Sequence, residues 1–162
     1  MMQKTFTFAE LPQNEGQLAA LAGGSFSDPL QTAALTAAAL CRYGTDRNAC
    51  IAMLNVLRGP RPLSQYEIQF LRDRLGGKEY KPFSFFAGAT PANNYTPAQP
   101  YVITAEGEPL PNEPDYFRVM LRSGGADHPR PVTLRRKGEE WLLWEEMLLA
   151  DIRTPAKDDP WA

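Results

Sequence analysis

The chain is poor in the residues from which most catalytic and metal sites are built. It has one histidine, His128, and two cysteines, Cys41 and Cys50, among 162 residues. Neither cysteine belongs to a C-x-x-C pair, and a single histidine leaves no set of zinc ligands. Both cysteines fall on apolar faces of predicted helices and read as buried free thiols that act as small hydrophobes. A disulfide between them would need Cα atoms within about 7 Å and an oxidising compartment. A basic excess is missing too: 17 Lys and Arg stand against 19 Asp and Glu, a formal charge of −2. A protein that holds duplex nucleic acid chiefly by its phosphates carries such an excess, so no duplex is expected as a partner. No apolar run approaches the ~18 residues of a membrane span. The opening M-M-Q-K-T-F-T-F-A-E-L-P lacks the apolar core and cleavage site of a signal peptide. The expectation is a cytoplasmic protein with no membrane contact. There is no G-x-S-x-G elbow, P-loop or dinucleotide fingerprint, and no cofactor is implied.

What is present describes one self-supporting unit. A chain of this length buries roughly two-thirds of its unfolded surface and needs no covalent staple. The first half reads as helices. Asp28-Pro29 is a start signal, followed by alanines and leucines through Leu40, with Gly44 ending the run. Thr45 or Asp46 caps a second helix, whose apolar positions Ala49, Cys50, Met53, Leu54 and Leu57 keep the helical period. Arg58 lies in its last turn and Gly59-Pro60 stops it. Ser64-Gln65-Tyr66-Glu67 is a capping box, with Leu63 and Ile68 as its staple and Ile68, Leu71 and Leu75 as its core stripe. A weaker helix covers Glu15 to Leu21.

From Lys78 to Pro114 prolines interrupt any long helix, and Phe83, Phe85, Phe86, Tyr95 and Tyr101 argue for an ordered connection rather than a disordered one. Tyr101 to Ala105 is a candidate strand. Tyr116 to Arg122 alternates, with Phe117, Val119 and Leu121 on one face, and Val132 to Arg136 alternates after it. Lys137-Gly138 is a tight turn. Glu140 to Glu145 is taken as a strand followed by a helical turn, although Trp141, Trp144, Leu148 and Ile152 also fit a terminal helix. The fold class is α+β: an N-terminal helical layer (about 10–77), a proline-rich connection (about 78–100), a C-terminal antiparallel sheet of three or four strands (about 101–153), and a tail (154–162). Phe117, Val119, Leu121, Val132 and Leu134 face the helices.

The densest mixture of special residues is S-G-G-A-D-H-P-R-P, from Ser123 to Pro131. Gly124 and Gly125 suit a bend of positive φ, whose successive N–H groups form an anion nest. Arg122 and Arg130 flank the bend, and Arg118 and Arg136 lie near it in sequence. Together with Ser123, Asp127 and His128 they outline a site for a phosphate or carboxylate held by arginines. The alternative is a structural loop in which Asp127 accepts backbone bonds and the arginines pair with the acids that follow. A third reading makes Asp127, His128 and Arg130 the acid, base and anion clamp of a small-molecule enzyme, but adjacent residues on an extended chain point to opposite sides. The paired acids Glu139-Glu140, Glu145-Glu146 and Asp158-Asp159 are sequence neighbours and read as solvated faces. Trp161 either docks on its own domain or anchors a partner.

R-S-G-G-A-D-H-P-R-P-V-T-L-R-R-K-G-E-E-W-L-L-W-E, together with P-L-S-Q-Y-E-I-Q-F-L-R-D-R, F-F-A-G-A-T-P-A-N-N-Y-T-P and L-L-A-D-I-R-T-P-A-K-D-D-P-W-A, resembles an uncharacterised bacterial family of unknown function. The resemblance covers most of the chain. It implies a single self-contained unit and carries no mechanism. The functional expectation is a non-catalytic binding or interaction protein, for an anionic small molecule or a protein partner.

Overall fold

The computed structural model describes all 162 residues. The order is β1 (Met2–Phe8), α1 (Glu15–Leu21), α2 (Pro29–Leu40), α3 (Arg47–Arg58), α4 (Gln65–Leu75), 3-10 turns at Lys81–Phe85 and Pro91–Asn93, β2 (Tyr101–Leu110), β3 (Glu113–Leu121), β4 (Arg130–Lys137), β5 (Glu140–Glu146) and a last 3-10 turn at Ala156–Asp158. The helix starts are those the caps foretell. Asp28 accepts from Leu30 N–H at 3.0 Å, and Asp46, not Thr45, accepts from Ala49 N–H at 3.0 Å. Ser64 and Glu67 exchange both bonds of the capping box, at 3.1 and 3.0 Å.

The sheet has five strands in the order β1-β2-β3-β4-β5, every neighbouring pair antiparallel. The expectation of three or four strands is corrected by β1, and so is the order of helices before sheet. β1 pairs residue for residue with Tyr101–Gly107 across roughly a hundred residues of chain. The alternation T-F-T-F was visible in the sequence, but nothing local announces a partner that distant. The Lys137-Gly138 turn forms as expected, with Gly138 at φ +62°.

Helix α2 organises the core. Eleven of its twelve residues are buried, all but Gln31, and it touches all five strands. A helix apolar all round is stable only where every side is covered. The sheet covers one side of α2, and α3 and the Lys81–Phe85 turn lie against it elsewhere. Its alanines let these neighbours come close. From the sheet, Phe117, Val119, Leu121, Val132 and Leu134 are all buried, the stripe expected to face the helices. Thr32 fixes the helix to the edge strand, its hydroxyl donating to the Trp141 carbonyl at 2.9 Å.

The expected helical turn after β5 is absent, as is the terminal helix. Residues 147–155 run without repetitive structure. Met147 N–H donates to the Pro131 carbonyl at 3.0 Å, prolonging the sheet contact. Leu148 N–H is held by the Glu146 carboxylate at 2.8 Å. With these amides engaged outside a helical ladder, no helix starts there. No helix in the fold is long and apolar enough to cross a membrane.

Cys41 and Cys50 are free and buried. Burial, with the neighbouring Cys50, pushes the Cys41 thiol well up. Burial, with Glu146, pushes Cys50 up to about 12. Both thiols should stay unlabelled by a thiol-specific chromogenic disulfide in the native protein at mildly alkaline pH. Both should react within the dead time once denaturant is added. Rapid native labelling would show that the α2–α3 core opens readily.

Candidate functional site

The glycine bend between β3 and β4 is a structural junction. Neither Gly124 nor Gly125 has the expected positive φ. They are glycines because the chain passes too close for a side chain. A Cβ on Gly124 would lie 2.0 Å from the Ala89 carbonyl oxygen, and one on Gly125 2.0 Å from the Tyr95 hydroxyl. Their N–H groups are already taken. Gly124 donates to the Ser84 carbonyl at 2.8 Å, and Gly125 donates to Ser123 Oγ at 3.0 Å. Ser123 in turn reaches Ser84 Oγ at 2.7 Å. No nest of free amides is left for an anion.

The flanking cations do not converge. Arg130 donates through Nε to the Ala150 carbonyl (3.1 Å) and through its two terminal nitrogens to the carbonyls of His128 (2.7 Å) and Asp151 (3.2 Å). Arg136 lies six residues further along β4, about 20 Å away at a strand's rise, and pairs with Asp115 at 2.8 Å. Arg118 stands in register between Glu108 and Thr133. Asp127 pairs with Arg153 at 3.0 Å rather than accepting backbone bonds. His128 is exposed. Asp127, His128 and Arg130 line neither of the two principal concavities. Only Arg122, Ser123 and Gly124 meet at one concavity, a shallow hollow of about 370 Å³ against Glu106 and Met120. Trp161 is not docked on its own domain: it is 92% exposed, its N–H turned back to Asp159 at 2.9 Å.

The larger cleft, about 460 Å³, lies between α4 and the end of β5. Sequence reasoning did not single it out. Six large apolar side chains are exposed on the molecule, and three of them, Tyr66, Phe70 and Met147, line this one cleft. The signal was in α4. Leu71 and Leu75 are buried in the core while Ile68, expected with them, is only half-buried, and Tyr66, Phe70 and Arg74 repeat every four residues beside them and make a second stripe on an adjoining face. A helix that serves only a core needs one.

The cleft is built where α3 hands over to α4. Arg58, in the last turn of α3, is buried. Its guanidinium donates to the Arg61 carbonyl and to Glu67, each at 2.9 Å. Glu67 thus caps its own helix with one oxygen and binds Arg58 with the other. Arg61 lies over Trp144, its guanidinium carbon 4.1 Å from the ring centroid, and donates to the Trp144 carbonyl. Arg74 lies over Phe70 at 4.9 Å. Neither Arg61 nor Arg74 has a carboxylate partner within its own chain. Stacking fixes the guanidinium planes and leaves their hydrogen-bonding edges available.

Two of the three glutamates that line the cleft, Glu67 and Glu146, are tuned in opposite directions. Burial raises the Glu146 carboxyl above its ordinary value, and the charge of Glu145 adds to this against the Leu148 N–H and Arg58. Burial alone would also raise Glu67, but the Ser64 backbone and hydroxyl and the charges of Arg58 and Arg61 overcome it and hold that carboxyl low. Desolvation lowers Arg58 against the pull of Glu67.

These features define an α+β unit with a five-stranded antiparallel sheet, a buried central helix and one aromatic-rimmed cleft. The chain belongs to the family described as domain of unknown function DUF6935, which it matches over residues 10–156. No curated protein and no solved structure shows significant similarity to it.

Two outcomes follow from this geometry. Gly125→Ala should destabilise the protein by about 1–3 kcal/mol, the range for overpacking a filled site, read as a lowered denaturation midpoint. A midpoint equal to the wild type would show that the Tyr95 contact is not tight. The second is a pH dependence of opposite sign at the two glutamates. A raised carboxyl favours the fold in acid and opposes it as pH rises through its folded value, whereas a lowered one favours it above the ordinary value of 4.5 and loses this in acid. Glu146→Gln should therefore raise the melting temperature at neutral pH, with the gain vanishing in acid. Glu67→Gln should lower it at neutral pH, with the loss vanishing in acid. Parallel curves for the two variants would contradict this assignment.

Proposed function

We propose that the protein is a non-catalytic binding protein that holds a partner protein through the cleft between α4 and β5. The observation that carries this reading is the clustering of Tyr66, Phe70 and Met147, exposed by 79%, 41% and 55%, around one concavity. Large apolar groups left exposed together mark interaction sites, whereas single ones need no explanation. The partner is a segment with an apolar anchor and neighbouring carboxylates. The anchor fits between Phe70 and Met147. The carboxylates meet Arg61 and Arg74, the cleft's two cations without an acid of their own. Arg58 is already engaged by Glu67, and the raised Glu146 carboxyl opposes an acidic ligand less than a fully ionised one would.

Proteins bind more readily than small anions here, because the arginines are spread along the cleft rather than gathered on a point. Trp161, covered by nothing in its own chain, is available as a second contact for the same class of partner. The reading sets the protein in the cytoplasm, where two unpaired thiols remain reduced.

A random-peptide display selection on the whole protein tests this. Enriched peptides should combine an aromatic or long aliphatic residue with Asp or Glu. Tyr66→Ala and Phe70→Ala should each weaken a selected peptide by about tenfold or more, as truncated interface anchors do. Arg61→Glu with Arg74→Glu should abolish binding. Selection of basic peptides, or of peptides indifferent to all four substitutions, would remove the cleft as the binding site.

A further inference from the structure

The two edges of the sheet are treated differently by the fold. The edge of β5 is covered. Trp141 N–H donates to the Phe26 carbonyl at 2.7 Å, Thr32 bonds the Trp141 carbonyl, and Arg61 bonds the Trp144 carbonyl. At the other edge, no backbone group of Met2–Phe8 bonds anything beyond the ladder with β2. Half the N–H and C=O groups of β1 therefore point away from the molecule.

Edge strands are ordinarily blunted by charged side chains, proline or a bulge. β1 has no proline, and its register with β2 runs unbroken through all seven residues. Its one charge, Lys4, is paired with Asp28 at 2.7 Å. Met1 and Met2 are exposed at its start, by 79% and 46%. Such an edge is a template for main-chain pairing with another strand.

We propose that β1 pairs antiparallel with β1 of a second copy about a two-fold axis at Thr5, joining the two sheets into one. The sequence of the strand is self-complementary in this register. Met2 meets Phe8, Gln3 meets Thr7 and Lys4 meets Phe6, so each residue faces one of the same side of the sheet. Phe8 is buried and Phe6 packs on the core, which places Met2 and Lys4 on the helix side with them. Thr5 bonds Thr104 at 3.0 Å, which places Gln3, Thr5 and Thr7 on the outer side. The exposed Met2 is thereby brought beside the partner's phenylalanine strand end. Asp28 neutralises each Lys4, so the two copies meet without like-charge repulsion. The interface is isologous and closes at two chains.

Site-directed crosslinking in the full chain tests the proposal. At a two-fold axis the opposed Cα atoms lie about 4.5–5.5 Å apart, within disulfide reach. Thr5→Cys should give a reducible dimer under mild oxidation. Thr7→Cys should not, since its equivalents lie about 13 Å apart at a strand's rise. The native Cys41 and Cys50 are buried and do not confuse the readout. Sedimentation of the unmodified chain should show a dimer whose fraction grows with concentration. Gln3→Lys with Thr7→Lys should make it monomeric while its melting temperature in dilute solution stays the same. In that variant lysines oppose one another across the proposed interface, but face Glu106 and Val102 within the chain. A monomer at every concentration, equal crosslinking at both positions, or a dimer untouched by the lysines would each overturn the proposal. None of these outcomes bears on the cleft.

Discussion

Helix α2 has no side that tolerates water, and most of the architecture answers that constraint. With eleven of twelve residues buried, it has to be enclosed before it is stable, and no single neighbour is large enough to enclose it. The sheet takes one side by bringing every strand into contact with it. The short side chains matter as much as their apolarity. Five alanines and two threonines within twelve residues hold the surrounding elements at close range, and each buried hydroxyl finds a carbonyl, Thr32 on Trp141 and Thr36 on Thr32. Those two bonds let polar residues sit in the centre of the core without the penalty of an unsatisfied group.

The segment after β5 shows a second solution to the same accounting problem. Residues 147–155 have neither helix nor sheet to satisfy their carbonyls, yet Leu149 and Ile152 are buried. The donors come from distant side chains. Lys81, itself buried, donates to Leu149 at 2.8 Å, and desolvation, helped by Lys78 and Arg74, lowers its ammonium against the pull of Asp151. Arg130 serves Ala150 and Asp151, and Tyr95 serves Arg153 at 2.6 Å. The Arg153 amide closes the circuit on the Gly125 carbonyl at 2.9 Å. The conspicuous run from Ser123 to Pro131 is conspicuous for this reason: it has to fit beneath a strap that supplies no hydrogen-bonding regularity of its own.

Much of the fold could be read from the chain because its signals are local. Asp28, Asp46 and Ser64 act on amides two or three residues away, and the alternation of Phe117, Val119 and Leu121 depends only on the pleat. β1 escaped because a strand is defined by its partner, and that partner lies on the far side of four helices. The site was misread for a related reason. Arg130, Arg136 and the glycines look like ligand groups when their sequence neighbourhood is the only context. Their true partners, Ala150, Asp115, Ser84 and Tyr95, lie at separations no local rule addresses. The second stripe of α4 was legible in principle, since Tyr66, Phe70 and Arg74 repeat every four residues on a face adjoining the one that buries Leu71 and Leu75.

The contrast between the two groups of arginines is what separates scaffold from surface here. Arg130 meets backbone carbonyls that would otherwise be unpaired in a half-buried segment, so its removal strands acceptors as well as a cation. Arg58 is likewise fixed from two directions and tied to a helix cap. Arg61 and Arg74 are positioned chiefly by aromatic faces, which restrain orientation without using up the in-plane donors. A side chain held in this way has lost part of the conformational entropy that binding would otherwise remove, while most of its hydrogen-bonding capacity is still open. Rigid placement and unused valence coincide twice along the wall that α4 makes with β5, at Arg61 and Arg74, and once beside it on β4, where Arg135 lies over Tyr116 and Trp144.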